Sequence, residues 1–121
     1  MRKTLLIVED TDLSRDLLVQ IFEDSYELEV ASDGETALEI VSARMPDLIL
    51  MDIGLPGRLD GLEAVRAIRA RAASVPIIAV SSRVMPGDRE RALDAGCDDF
   101  VAKPIDDIQL VALVARALEA R

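Results

Sequence analysis

Acidic residues follow two short apolar runs, in positions where they could hold a divalent cation. Glu9 and Asp10 come directly after the run 5–8, and Asp52 comes directly after the run 48–51. Crowded carboxylates repel one another unless a cation lies among them, and Mg²⁺ prefers a few carboxylate oxygens together with water and phosphoryl oxygens. We therefore predict a Mg²⁺ site at Glu9, Asp10 and Asp52, although any one of these acids could be only a solvated residue at a strand end.

Two more polar residues follow later apolar runs. Ser81 comes after the run 77–80, and Lys103 comes after the run 100–102. A hydroxyl and an ammonium group are suitable partners for phosphoryl oxygens. A carboxylate such as Asp52 is ionised at neutral pH and can attack phosphorus to give an acyl phosphate without a general base. Alone, Ser81 could be a turn hydroxyl and Lys103 a surface cation, but their shared position favours phosphoryl chemistry.

The apolar runs alternate with helical patterns, which is typical of an α/β fold. We predict five strands, at residues 5–8, 28–31, 48–51, 77–80 and 100–102. Right-handed crossovers make such strands parallel, so the expected fold is a doubly wound five-stranded parallel sheet with helices on both faces. The expected flavodoxin-like order 2-1-3-4-5 places a crevice at the carboxyl ends of strands 1 and 3.

Apolar spacing also predicts which side of each helix is buried. In the first helix the predicted buried residues are Leu13, Leu17, Leu18, Ile21 and Phe22. In the last helix they are Ile108, Val111, Val114 and Leu118. Asp60 and Glu63 form a variant capping box at the start of the third helix, and the fourth helix begins near 86–88 and ends at Gly96.

Composition restricts the possible partners and location. The 121 residues suit one domain, at 1–121, and the net charge of −9 disfavours direct binding to nucleic acid or to an anionic membrane. Cys97 is the only cysteine, which excludes an intramolecular disulfide, and the lack of histidine excludes a histidine phosphodonor within this chain. With no long apolar segment, the expected location is the cytoplasm.

Six segments together resemble the receiver domain of two-component response regulators. They are residues 6–10, 46–53, 60–61, 76–81, 96–100 and 103–104, in order along nearly the whole chain. The resemblance implies a stand-alone response regulator that accepts a phosphoryl group from a histidine kinase or a histidine phosphotransfer protein. It further implies Mg²⁺ as the cofactor and a downstream effector protein that reads surface changes at helix 4, strand 5 and helix 5.

The resemblance also implies roles for the residues of the predicted metal site. Asp52 would accept the phosphoryl group, and Asp10 would ligate Mg²⁺ directly. Glu9 would act on the metal mainly through water. The backbone carbonyl of Gly54, two residues after the acceptor, would be a further ligand.

Residues of the later strands receive roles from the same resemblance. Ser81 would bond to the phosphoryl group, and Lys103 would pair with it. Phe100 stands at the aromatic switch position, although from the pattern alone it would be an ordinary core residue. Pro104 would follow a cis peptide bond, since X–Pro is the bond at which the cis isomer is inexpensive.

The chain departs from the common family pattern at a few positions. Ser81 replaces the more usual threonine, and Gly54 and Arg83 occupy variable positions that tune the loss of phosphate. The stretch 56–60 carries one residue more than usual.

Three other interpretations stay open at this point. An aspartyl phosphatase would need a second acid where Gly54 stands, and a flavin or nucleotide carrier would need a phosphate-binding loop where the acidic stretch 9–12 stands. The third is a receiver domain cut from a larger regulator or a hybrid kinase.

Overall fold

The fold is an open α/β sheet with helices on both faces. The computed structural model describes residues 2–54, 60–71, 74–81 and 85–119. The strands are β1 Thr4–Val8, β2 Glu27–Ala31, β3 Leu48–Asp52, β4 Ile77–Ser81 and β5 Asp99–Ala102. The helices are α1 Asp12–Phe22, α2 Gly34–Ala43, α3 Gly61–Arg71, α4 Asp88–Ala95 and α5 Asp107–Glu119. All paired strands are parallel, in the order β2-β1-β3-β4-β5, which confirms the predicted topology.

Alternation along the strands divides the core into two layers, one on each face of the sheet. Neighbouring residues of β1 separate in this way, because Leu5 packs with α1 and α5 while Leu6 packs with α2, α3 and α4. β1, β3 and β4 are buried along their whole length. Central parallel strands covered on both faces therefore account for the continuous apolar runs in the sequence.

The predicted helix ends are confirmed at α3 and α4. The amide of Glu63 donates to the Asp60 carboxylate at 2.9 Å, and the amide of Asp60 donates back to the Glu63 carboxylate at 3.2 Å. Gly96 ends α4 with φ at +121°, a left-handed conformation that favours glycine. These caps fix where each helix begins or ends relative to the sheet.

The predicted buried sides of α1 and α5 were wrong for some of their residues, which are exposed. Leu13 is 84% exposed and Ile108 is 82% exposed, and Leu17 and Val111 are also exposed. The buried residues are Leu18 and Phe22 in α1 and Leu110, Val114 and Leu118 in α5. Both helices carry apolar residues on more than one side, so spacing alone does not select the side that meets the sheet.

In the described part of the chain, the helices are too short or too polar to cross a membrane.

Candidate functional site

The acidic residues predicted to form a metal site lie together at the carboxyl edge of the sheet. Val8 of β1 is paired in register with Met51 of β3, so the residues that follow each of them are neighbours in space. Glu9, Asp10 and Asp52 each offer a carboxylate oxygen within 4.8 Å of the others. Parallel pairing of β1 and β3 therefore creates a concentration of negative charge that the sequence separates by more than 40 positions.

Glu9 is the most deeply buried of these acids, at 1% exposure. Its Oε2 accepts a hydrogen bond from Lys103 Nζ at 2.7 Å, whereas its Oε1 is buried and has no hydrogen-bond partner in the described part of the chain. Burial raises the pKa of Glu9 from 4.5 to about 7; Lys103 opposes that rise, and the nearby Asp52 carboxylate adds to it. An unsatisfied carboxylate oxygen beside two other acids fits a hard divalent cation.

The acids share one cleft with the other predicted site residues. The cleft measures about 710 Å³. Its described lining is Glu9, Asp10, Thr11, Ser14, Asp52, Ile53, Gly54, Asp60, Leu62, Ser81, Asp88, Arg91 and Lys103. The structure therefore brings the carboxylates, the hydroxyl and the ammonium group to one place, as the strand order predicted.

The region around Asp52 is shaped by two glycines. Asp52 is 8% exposed, and its Oδ1 accepts a hydrogen bond from the amide of Gly54 at 2.9 Å. A Cβ atom on Gly54 would lie 3.5 Å from that same oxygen, so the absence of a side chain leaves the carboxylate open from this side. Gly61, the first residue of α3, lies against the backbone of Asp52 itself.

The remaining predicted residues lie on β4 and β5 or just beyond them. Ser81 is buried at the end of β4, and its carbonyl accepts a hydrogen bond from the amide of Lys103 at 2.7 Å. The Lys103–Pro104 peptide bond is cis, as predicted. Phe100 is half-buried and packs against the core layer between the sheet and helices α2, α3 and α4. Arg83 lies outside the described residues, as do positions 56–59 of the stretch with the extra residue.

Sequence reasoning did not place Ser14, Asp88 or Arg91 in the site, although all three line the cleft. Ser14 Oγ lies 3.4 Å from Lys103 Nζ, and Asp88 and Arg91 of α4 form an ion pair in the same lining. Ser14 carried no signal beyond its place in the first turn of α1. Asp88 was noticed only as part of a helix start, and only the register of α4 against the sheet places it in the cleft.

The same geometry argues against two other interpretations. Where an aspartyl phosphatase would place a second acid, Gly54 supplies only a backbone amide to Asp52. After β1, where a flavin or nucleotide carrier would need a loop of small residues, stand the buried Glu9 and the exposed Asp10. An anionic cofactor at that edge would meet carboxylates.

Replacing Lys103 by alanine should destabilise the metal-free protein in a pH-dependent way. Because the pKa of Glu9 is raised from 4.5 to about 7, the folded chain holds a proton that the unfolded chain releases, and the contribution of Glu9 to stability is lost as the pH rises through this range. Without Lys103 the pKa of Glu9 rises further, so the stability lost when Glu9 ionises is larger and its loss continues to higher pH. We expect the free energy of unfolding of the variant to be about 2 kcal/mol below that of the unsubstituted protein at about pH 8, and the difference to be smaller at about pH 6.

Urea unfolding at the two pH values, with a chelator present, measures this difference. Lys3→Ala removes an exposed lysine of the same charge and serves as the control. A deficit of equal size at both pH values would contradict the role assigned to Lys103 as the counter-charge of Glu9.

Comparison with known proteins identifies the family. The family model described as "Response regulator receiver domain" matches residues 5–115. Response regulator MprA of Mycolicibacterium vanbaalenii is 36% identical over 118 residues, which are 97% of this chain and 50% of that protein. The chain spans between about a quarter and about half of the length of the curated relatives it matches.

Solved structures agree with this assignment. A CheY-like response regulator receiver domain protein from Methanospirillum hungatei JF-1 has a TM-score of 0.93 at 26% identity, covering 99% of this chain and 96% of that one. The receiver domain of sensor histidine kinase PA1611 from Pseudomonas aeruginosa PAO1, solved with a magnesium ion in its active-site cleft, has a TM-score of 0.90 at 34% identity, covering 98% and 99% of the two chains. This chain belongs to the family of response regulator receiver domains.

Proposed function

We propose that this domain is a Mg²⁺-dependent phosphoacceptor, with Asp52 as the residue that carries the phosphoryl group. The observation that carries the proposal is the meeting of Glu9, Asp10 and Asp52 within 4.8 Å of one another. Ser81 and Lys103 line the same cleft. Of the three acids, Asp52 stands at the centre of the sheet edge, with its carboxylate left open by Gly54.

The proposed reaction forms a bond between an Asp52 carboxylate oxygen and phosphorus. The bond from phosphorus to the donor breaks at the same time, and the leaving group keeps its electron pair and takes a proton from water. Bound Mg²⁺ would supply positive charge beside the transferred oxygens. Asp10 and Asp52 would ligate the metal, Glu9 would act on it mainly through water, and the carbonyl of Gly54 would be a further ligand.

In this proposal the groups at the ends of β4 and β5 stabilise the phosphorylated product and transmit its presence to the surface. Ser81 donates its hydroxyl hydrogen to a phosphoryl oxygen, and the Lys103 ammonium group pairs with another. Phe100 follows the movement of Ser81, so that the surface of α4, β5 and α5 changes for an effector protein. Gly54 and Arg83 tune how fast the phosphate is lost.

The phosphodonor in this proposal is a histidine kinase or a histidine phosphotransfer protein that docks beside the cleft. Leu13 and Leu17 are exposed on α1, and with Pro104 and Ile105 they line an apolar depression that also contains Lys103. A donor must place its phosphorylated side chain in the cleft, so its own surface has to cover this rim. Apolar side chains at the rim are what an apolar helix face of the donor would bury.

Replacing Leu13 by serine should therefore slow transfer from a protein donor without affecting a small one. We expect kcat/KM for a phosphohistidine protein to fall about tenfold, because truncation of a contact residue at an interface costs about 1–2 kcal/mol. Labelling by acetyl phosphate should not change. Ile108→Ser, at a residue that is equally exposed but outside the depression, is the matched control. Equal effects of both variants on the protein donor would contradict the docking surface.

The experiment that tests the proposed function is labelling by acetyl phosphate with and without Mg²⁺. We expect added phosphate mass on the intact protein when Mg²⁺ is present, and its loss from the reaction when a chelator removes the metal. Labelling that is independent of the metal would contradict the proposed role of the acidic cluster.

The proposal extends to the domain and its setting. Residues 1–121 are proposed to form one receiver domain. Its proposed location is the cytoplasm, where phosphohistidine donors are formed from ATP. Direct partners are proteins, because the net charge of −9 opposes contact with nucleic acid or an anionic membrane.

A further inference from the structure

The cleft contains a second cation, contributed by α4. Among its described lining residues, five are acidic (Glu9, Asp10, Asp52, Asp60 and Asp88) and two are basic, Lys103 and Arg91. Lys103 is already paired with Glu9 at 2.7 Å. A phosphoryl group on Asp52 would add negative charge to a lining in which acids are in excess. Of the two cations, Arg91 is the more exposed, since its side chain is 55% exposed and that of Lys103 is 15% exposed.

Local structure directs the guanidinium of Arg91 toward the amino end of α4, which is the end that faces the cleft. Side chains on a helix lean toward its amino terminus, and Arg91 reaches back over Gly87 and pairs with Asp88. Gly87 has φ at +88°, and a Cβ atom there would lie 3.1 Å from Arg91 Nη1. The glycine both allows the left-handed turn and leaves the space in which the guanidinium lies.

Asp88 does not need Arg91 to hold the start of α4. Its Oδ2 accepts a hydrogen bond from the amide of Met85 at 2.7 Å, and its own amide donates to the carbonyl of Met85 at 3.0 Å. The Arg91 side chain is 55% exposed and the Asp88 side chain is 12% exposed, so water screens this ion pair mainly from the side of the guanidinium. When the guanidinium leaves, Asp88 keeps its hydrogen bond from the amide of Met85, and a phosphoryl group offers the guanidinium charge-assisted bidentate hydrogen bonds.

We propose that Arg91 is a phosphoryl-binding residue, which exchanges its pairing with Asp88 for the oxygens of a phosphoryl group on Asp52. This inference rests on the proposed function, because it needs the phosphoryl group at Asp52. It adds a direct contact from α4, so that the position of this helix depends on whether the acceptor is occupied.

Titration with beryllium fluoride, a tetrahedral mimic of the phosphoryl group, tests this contact in the presence of Mg²⁺. The readout is the ¹H–¹⁵N spectrum, including the Nε–Hε resonances of arginine side chains. In the unsubstituted protein we expect the Arg91 Nε–Hε resonance to shift on saturation. In Arg91→Gln the half-saturating concentration should rise about fivefold, which is the size expected for the loss of one ordinary hydrogen bond.

Arg89→Gln is the matched control, because it removes the same charge from the same helix. Arg89 lies on another side of α4, 3.6 Å from Asp99 Oδ1, and is not part of the described cleft lining. If the half-saturating concentration of Arg91→Gln is unchanged and the Arg91 resonance of the unsubstituted protein does not shift, only the inference about Arg91 is overturned. Absence of any binding by the unsubstituted protein would overturn the proposed function as well, so the two failures are distinguishable.

Discussion

Asp52→Asn should abolish labelling by acetyl phosphate. The amide that replaces the carboxylate has no ionised oxygen to attack phosphorus, so no acyl phosphate can form at this position. The change is nearly isosteric, and the amide of Gly54 can still donate to the remaining carbonyl oxygen, as it does to Asp52 Oδ1. The fold should be retained, and the loss should appear as an unlabelled mass after the reaction time that labels the unsubstituted protein fully.

Two further variants separate the acceptor from its surroundings. Asp16→Asn makes the same charge change at an exposed residue of α1 and should leave labelling unchanged. Asp10→Asn keeps the acceptor but removes the proposed direct metal ligand, so labelling should become slow and demand more Mg²⁺. Full labelling of Asp52→Asn at another residue would contradict the assignment of the acceptor.

Gly61→Ala should destabilise the fold severely, although helix propensity alone would favour alanine by up to about 1 kcal/mol. A Cβ atom at this position would lie 2.5 Å from the carbonyl oxygen of Asp52, and closer still to Ile53 Cα. Both are backbone atoms at the end of β3, so neither can move aside as a flexible side chain could. The steric clash can be relieved only if α3 shifts away from the sheet. We expect a loss of at least about 3 kcal/mol, measured by urea unfolding.

Gly54→Ala is the control for this prediction. Its Cβ atom would lie 3.5 Å from Asp52 Oδ1, which is ordinary van der Waals contact. We expect its free energy of unfolding to stay within about 1 kcal/mol of the unsubstituted value. A Gly61→Ala variant as stable as Gly54→Ala would mean that α3 does not press on β3 as closely as described.

The sheet and the cluster of acids could be predicted because each depends on a simple pattern. Buried strands require continuous apolar runs, and the right-handed crossovers that join them permit few strand orders. Once β1 and β3 are neighbours, the residues after Val8 and Met51 must lie together. The cap formed by Asp60 and Glu63 was equally local, because both hydrogen bonds form within three residues.

Tertiary packing decides what the sequence could not. Leu13 and Leu18 are both leucines of α1, yet one is 84% exposed and the other 2%, because only the docking of the helix selects a side. The pairing of Lys103 with Glu9 depends on side-chain reach across the cleft. Arg91 lines the cleft because of the way α4 packs against the sheet, and no short sequence motif predicts that packing.

Reduction of the labelled protein with borohydride tests the central claim most directly, because it converts an aspartyl phosphate to homoserine and so marks the acceptor permanently. Peptide mapping after labelling in Mg²⁺ should find homoserine at position 52 and, when the metal is removed, aspartate there. Homoserine at another acidic position, with Asp52 unchanged, would contradict the account.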